Sequence, residues 1–305
     1  MTKFCKYILM ILLLIMLVGC SNTIVKDDIN NGLEDELVPS TELYWGIKDN
    51  TLYISAEETE NATKVNSSAF ASSKSDYYIP WWDLNLDNIG KVIIEKSNIM
   101  IVPVSMNNWF SYLTNCKSIE GLENIDTSLV IDMQGLFACC DNLAYLDLKS
   151  FDTSKVEDMG NMFFRVNLES LDLSSFDTSN VKDMHAMFHS STINDLNLSS
   201  FDTSNVESMQ AMFAYFETDF LDLSSFDTSN VEDMSFMFNW SRINKLDISS
   251  FNTSNVKNIS AMFGSQIDDN FQPNDYFKSI DISHFDLSNA QDIDDISDLY
   301  AYTHY

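Results

Sequence analysis

The chain has 305 residues, 45% of them hydrophobic and 12% aromatic, with only four prolines and eight glycines. Such a composition excludes a disordered or collagen-like chain and supplies a large core. Forty-six Asp and Glu against 17 Lys and Arg give a formal charge of −29. A field of that sign repels nucleic acid and anionic headgroups and favours cationic partners or divalent cations.

The first element is N-terminal. Lys3 and Lys6 precede a twelve-residue apolar run, Tyr7 to Val18, too short to cross a bilayer comfortably and of the length of a signal-peptide core. The run ends in Leu17-Val18-Gly19-Cys20, which resembles the lipobox of bacterial lipoproteins. That resemblance implies removal of residues 1–19 and acyl chains such as palmitate on Cys20. Loss of Lys3 and Lys6 takes the charge from −29 to −31. Each buried methylene contributes about 0.8 kcal/mol of anchoring. The implied location is extracytoplasmic, at the cell surface, with the lipid as link to a bacterial membrane and no other cofactor.

Residues 20–40 are polar and acidic and read as a flexible tether. Residues 41–118 read as an irregular, β-containing N-terminal cap: Leu52-Tyr53-Ile54 and Val92-Ile93-Ile94 look like strands, and Trp45, Trp81, Trp82 and Trp109 supply the aromatic mass that covers an open end. Cys116, Cys139 and Cys140 are too few for a disulfide scaffold; a bridge from Cys116 to Cys139 or Cys140 and buried free thiols both remain open.

Internal repetition then takes over. LDLSSFDTSNV occurs at Leu171 and Leu221, with close relatives at Leu146, Leu196 and Leu246, always 25 residues apart. A degenerate copy begins at Ile125 and a last one at Ile280. Self-similarity at this period means a solenoid. Within a copy, Ile193, Leu196, Leu198 and Phe201 fit L-x-x-L-x-L, a strand with alternate residues inward. Val206, Met209, Met212 and Phe213 recur as an apolar stripe that predicts a short helix, with DTSN as its cap. The predicted fold is therefore α/β: a leucine-rich-repeat solenoid of short strand, turn and short helix over residues 119–298, with an insertion near 268–276 and a tail at 299–305. Phe151, Phe176, Phe201, Phe226 and Phe251 should stack, as should Phe163, Phe188, Phe213, Phe238 and Phe263.

The run LDLSSFDTSNVxDMxxMF resembles the BspA-type leucine-rich repeat of bacterial surface proteins, from about Ile119 to Asp298. The resemblance implies an extracellular domain used for adhesion to host proteins, matrix or other bacteria. The family's cysteine after Met-Phe survives only in the first copy, at Cys139-Cys140, so binding details do not carry over from other members.

Candidate sites come from departures within the repeats. The stretches after each Met-Phe pair vary most, and Arg165, His189, Tyr215, Trp240 and Arg242 there are the candidate contact residues, because aromatic and Arg side chains dominate hot spots. Asp147, Asp172, Asp222 and Asp247 should form an outward column at strand spacing; either neighbouring serines and water relieve its repulsion, or weakly bound calcium does. Asp158, Asp183 and Asp233 read as turn or helix caps. His185 and His189 stand four apart, but neighbouring copies bring no further ligand, so no metal is assigned there. No nucleotide loop, nucleophile elbow or Cys-His constellation occurs. The sequence thus reads as a membrane-anchored surface lipoprotein that binds other macromolecules and is not an enzyme; a surface spacer and a carbohydrate-active solenoid using the Asp face are the alternatives.

Overall fold

The computed structural model describes residues 42–66, 81, 86–264, 277 and 280–291, all within one compact unit, Val38–Tyr305. The expected signal peptide, Cys20, the tether, Trp82, the insertion near 268–276 and the tail at 299–305 lie outside the described residues.

Strands β1 (Leu43–Lys48) and β2 (Thr51–Ser55) make a hairpin whose two turn residues, Asp49 and Asn50, both have positive φ, as a tight hairpin turn demands. β3 (Lys64–Asn66) lies antiparallel on the far side of β1, while β2 pairs in parallel with β4 (Lys91–Ile94) and β4 with β5 (Ile119–Glu120). Trp81 is buried here; its indole N–H donates to the Trp109 carbonyl at 2.8 Å and its ring meets Trp109 edge-on. The second sheet is wholly parallel: β6 (Asn167–Leu171), β7 (Thr192–Leu196), β8 (Glu217–Asp222) and β9 (Arg242–Asp247), in that order. Leu168, Leu171 and Leu173 point inward from the β6 region, while Glu169, Ser170 and Asp172 face solvent. A single apolar core runs from Leu43 to Phe285.

The predicted helix of each repeat is absent. Among the described residues there is no α-helix, only short 3₁₀ turns such as Leu86–Asn88 and Leu122–Asn124, and the α/β leucine-rich-repeat expectation gives way to a β-solenoid of about six turns. The hydrogen bonds show why. In one rung, the N–H groups of Met184, Ala186, Phe188 and Ser190 donate to carbonyls of the next rung, at Ser208, Gln210, Met212 and Ala214. The alternating groups close three-residue turns instead, Met187 to Met184 and Ser191 to Phe188. A helix would use i→i−4 bonds and uniformly negative φ; here Ala186 and Ser190 have φ of 50° and 58°. Consecutive turns place Met184, Met187 and Phe188 inward at i, i+3 and i+4, the burial pattern of a helix, without being one.

Both predicted phenylalanine columns are buried, Phe151, Phe176, Phe201, Phe226 and Phe251 among them, and ring stacking is seen in the second column. Phe163, Phe188, Phe213, Phe238 and Phe263 stack nearly parallel, and Phe137 and Phe110 extend the stack, with ring centroids 5.5 to 5.9 Å apart throughout. Phe110 belongs to Met106-Asn107-Asn108-Trp109-Phe110, a worn Met-x-x-Met-Phe. The rungs accordingly begin upstream of Ile119, with parallel bridges from Ile101 to Ile125 and from Ser105 to Asp132. Phe277 packs on both Phe238 and Phe263, as Phe216 does on Phe188 and Phe213.

The DTSN tetrapeptide is not a helix cap either. The Asp177 carboxylate accepts the Ser179 N–H within its own turn. Thr178 is buried; its hydroxyl donates to the Asp202 carbonyl at 2.9 Å and accepts the Asp202 N–H at 2.8 Å, fastening one rung to the next. Asn205 reaches the opposite way and donates to the Ser179 carbonyl at 2.7 Å. Thr and Asn thus satisfy backbone groups of neighbouring rungs that no strand ladder reaches.

Candidate functional site

The last turn of each rung builds an edge. Its third residue is Arg165, Ser190, Tyr215 or Trp240 in successive rungs, each with φ between 54° and 58°. L-residues disfavour that region by roughly 1–2 kcal/mol, and the cross-rung bonds from these same residues hold it. Rings from neighbouring rungs meet along this edge: Phe164 with His189 at 5.0 Å between centroids, His189 with Tyr215 at 5.5 Å, and Tyr215 with Trp240 at 6.1 Å and nearly parallel. Phe164 is buried, whereas Tyr215 is 49% exposed.

Three of the five candidate contact residues, His189, Tyr215 and Trp240, therefore form one stacked row. Phe164 continues it and was missed; its place 25 residues before His189 was the available signal. Arg165 lies at the same edge position, with its guanidinium 2.9 Å from Asp141 in a half-buried ion pair. Burial raises the Asp141 pKa, and the Arg165 charge and hydrogen bond act against that rise. Arg242 stands apart on β9, exposed and 3.7 Å from Glu217 on β8.

Burial pulls the His189 pKa down to about 4, so the row is uncharged at neutral pH. A depressed histidine pKa means that the unfolded chain binds the extra proton between about 6.5 and 4. Stability from this group is complete above 6.5 and is lost as the pH falls toward 4. His189→Phe, which copies Phe164, should take up about one proton fewer on unfolding at pH 5. Urea titrations of both proteins between pH 7 and 4 measure this; parallel pH profiles would remove His189 as the cause.

The outward Asp column serves its own backbone. Asp147, Asp172, Asp222 and Asp247 each accept an N–H two residues on, from Lys149, Ser174, Ser224 and Ser249. Hydrogen bonds from the Ser174 and Ser249 side chains, then from their backbone, hold the Asp172 and Asp247 carboxyls below the usual range. These carboxylates do not gather into a ligand set among the described residues.

A different column does. Asp132, Asp158 and Asp183 are bridge partners in successive rungs, flanked by Ser105 and Ser208. Each carboxylate accepts an N–H two residues on, from Gln134, Gly160 and His185, as Asp233 does from Ser235, so Asp158, Asp183 and Asp233 cap turns and not helices. Burial, then the charges of Asp183 and Asp132, push Asp158 up to about 7. His185 is buried beside them, with Nδ1 2.8 Å from Asp183 and Nε2 2.6 Å from the Asn161 amide. Burial disfavours its cation, yet the Asp183 hydrogen bond and the charges of Asp183 and Asp158 outweigh that and leave its pKa raised. The sequence comparison of His185 with Gly160 and Gln210 missed this cluster, because the partners lie in the neighbouring acidic column.

Cys116, Cys139 and Cys140 are buried thiols and not a bridge; those of Cys116 and Cys140 donate to the Ser118 and Phe110 carbonyls.

No curated protein and no solved structure matches the chain. Residues 104–222 and 215–301 match the family model described as "Mycoplasma protein of unknown function, DUF285". The matched residues start at the first rungs and cover well over half of the sequence, so the chain belongs to DUF285, a family of BspA-like repeat proteins.

Proposed function

We propose that this protein is a lipid-anchored bacterial surface protein whose solenoid binds another protein along its aromatic edge. The observation that carries the reading is the row Phe164–His189–Tyr215–Trp240, built at the positions where the repeats differ most. Of these, Tyr215 and Trp240 are held in a backbone conformation they disfavour, which suits recognition better than packing. The anchor rests on Lys3, Lys6, the apolar run and Leu17-Val18-Gly19-Cys20. With the strong negative charge, cationic patches on host, matrix or bacterial surface proteins are the favoured partners, and nucleic acid is disfavoured.

The test is a binding screen of residues 21–305 against extracellular-matrix and serum proteins, with and without calcium. A saturable partner should bind at least about ten-fold more weakly to an Arg165, Tyr215, Trp240 and Arg242 quadruple alanine variant that retains its cooperative unfolding. Unchanged affinity in that variant would sink the edge as the contact surface. No saturable binding to any partner would favour the alternative of a surface spacer.

A further inference from the structure

We infer that Asp158, Asp183 and His185 form a binding site for a divalent transition-metal cation of the zinc type, separate from the aromatic edge. One ligand atom from each lies within 4.8 Å of the other two. Two carboxylate oxygens and one imidazole nitrogen are a borderline donor set: oxygen ligands alone suit calcium or magnesium, whereas an added imidazole suits zinc and its neighbours.

Three features make this a built site. Asp158 and Asp183 face each other on adjacent rungs, where like charges oppose each other. No Lys or Arg pairs with either among the described residues; His185 is the one described basic group there. One oxygen of Asp158 accepts the Gly160 N–H, and no described donor stands on the other. The second feature is space. The His185 ring folds back over Gly160, and a β-carbon there would run into ring atoms Cε1 and Nδ1. The same position holds Asn107, Gln134, Gln210, Ser235 and Ser260 in other rungs. Glycine therefore stands where the imidazole must be received, next to the two carboxylates.

The third feature is the outer partner. A metal-bound histidine donates its other ring N–H to an oxygen that fixes the ring. Asn161 is already 2.6 Å from Nε2. With the cation on Nδ1, the ring proton resides on Nε2, and a turned-over Asn161 amide presents its oxygen to that N–H. Rotation of an amide exchanges only O for N and needs no backbone movement.

The experiment is calorimetric titration of the chelator-stripped full chain with Zn²⁺ alone, together with the visible absorption of bound Co²⁺. One equivalent should bind, with Co²⁺ bands of low-coordinate N/O ligation. His185→Gln, a residue the same column already carries at Gln134 and Gln210, should weaken binding at least about 30-fold. Gly160→Ala should weaken it too, although it removes no ligand, by displacing the ring. Asp172→Asn, in the outward column, should bind as the parent does. Absence of saturable Zn²⁺ binding, or equal affinity in the His185→Gln protein with its fold intact by circular dichroism, would overturn the site. Both outcomes are independent of partner binding at the edge.

Discussion

Phe213→Ala should lower the unfolding free energy by about 3–5 kcal/mol, the range for removing a fully buried phenylalanine without collapse of its site. Phe213 has no exposed surface and lies between Phe188 and Phe238 at 5.5 and 5.8 Å, with Phe216 closing the third side at 5.4 Å. None of these neighbours can move into the void without leaving its own column, so the cavity term stays near its maximum. Phe213→Leu keeps most of the apolar volume and should cost less than half as much. In a solenoid, contacts run only between adjacent rungs, and a weakened interface in the middle divides the array. The urea transition of the alanine protein should therefore broaden as well as move. A loss below about 1 kcal/mol would mean that the ring stack contributes little beyond filling space.

Thr178→Val is the second large effect, expected at about 2–4 kcal/mol although the two side chains have nearly the same shape. The cost arises because Asp202 loses, in one step, the partner of both its N–H and its carbonyl at the part-buried seam beside the buried Thr178, and a polar group left unpaired away from water costs about 1–3 kcal/mol. Thr178→Ser keeps the hydroxyl and loses only a methyl group, so about 1 kcal/mol is expected. Equal losses for Val and Ser, measured by the same denaturation, would assign the role of Thr178 to packing and not to the clasp between rungs.

The 25-residue period, the inward leucines, the stacked Phe163 column and the burial of the Phe151 column were legible in the sequence because each depends only on which residues are buried. The backbone path between them was not. Met184, Met187 and Phe188 are buried at i, i+3 and i+4, and that spacing satisfies a helix and a succession of turns equally well. The discriminating facts are the positive φ of Ala186 and Ser190 and the donation of N–H groups to a rung 24 residues away. Neither leaves a trace in residue type: alanine, serine, tyrosine and tryptophan occupy conformations that usually call for glycine or asparagine. DTSN misled for a related reason, since an Asp or Ser that caps a turn looks like one that caps a helix. The aromatic edge was partly legible, through the variability of its residues. The Asp158–Asp183–His185 cluster was not, because its members come from two rungs and two columns.

Because Thr178, Asn205, the Met-Phe turn and the ring stack repeat the same contacts at every step, one rung is interchangeable with its neighbours. Excising or duplicating a 25-residue block between Leu146 and Phe251 leaves these backbone and ring contacts at the junction as before, provided that Gly160 still precedes the His185 rung, whose imidazole it receives. Reach is then a tunable dimension of this protein, graduated at about 4.8 Å per rung, and it can lengthen or shorten without the invention of new packing.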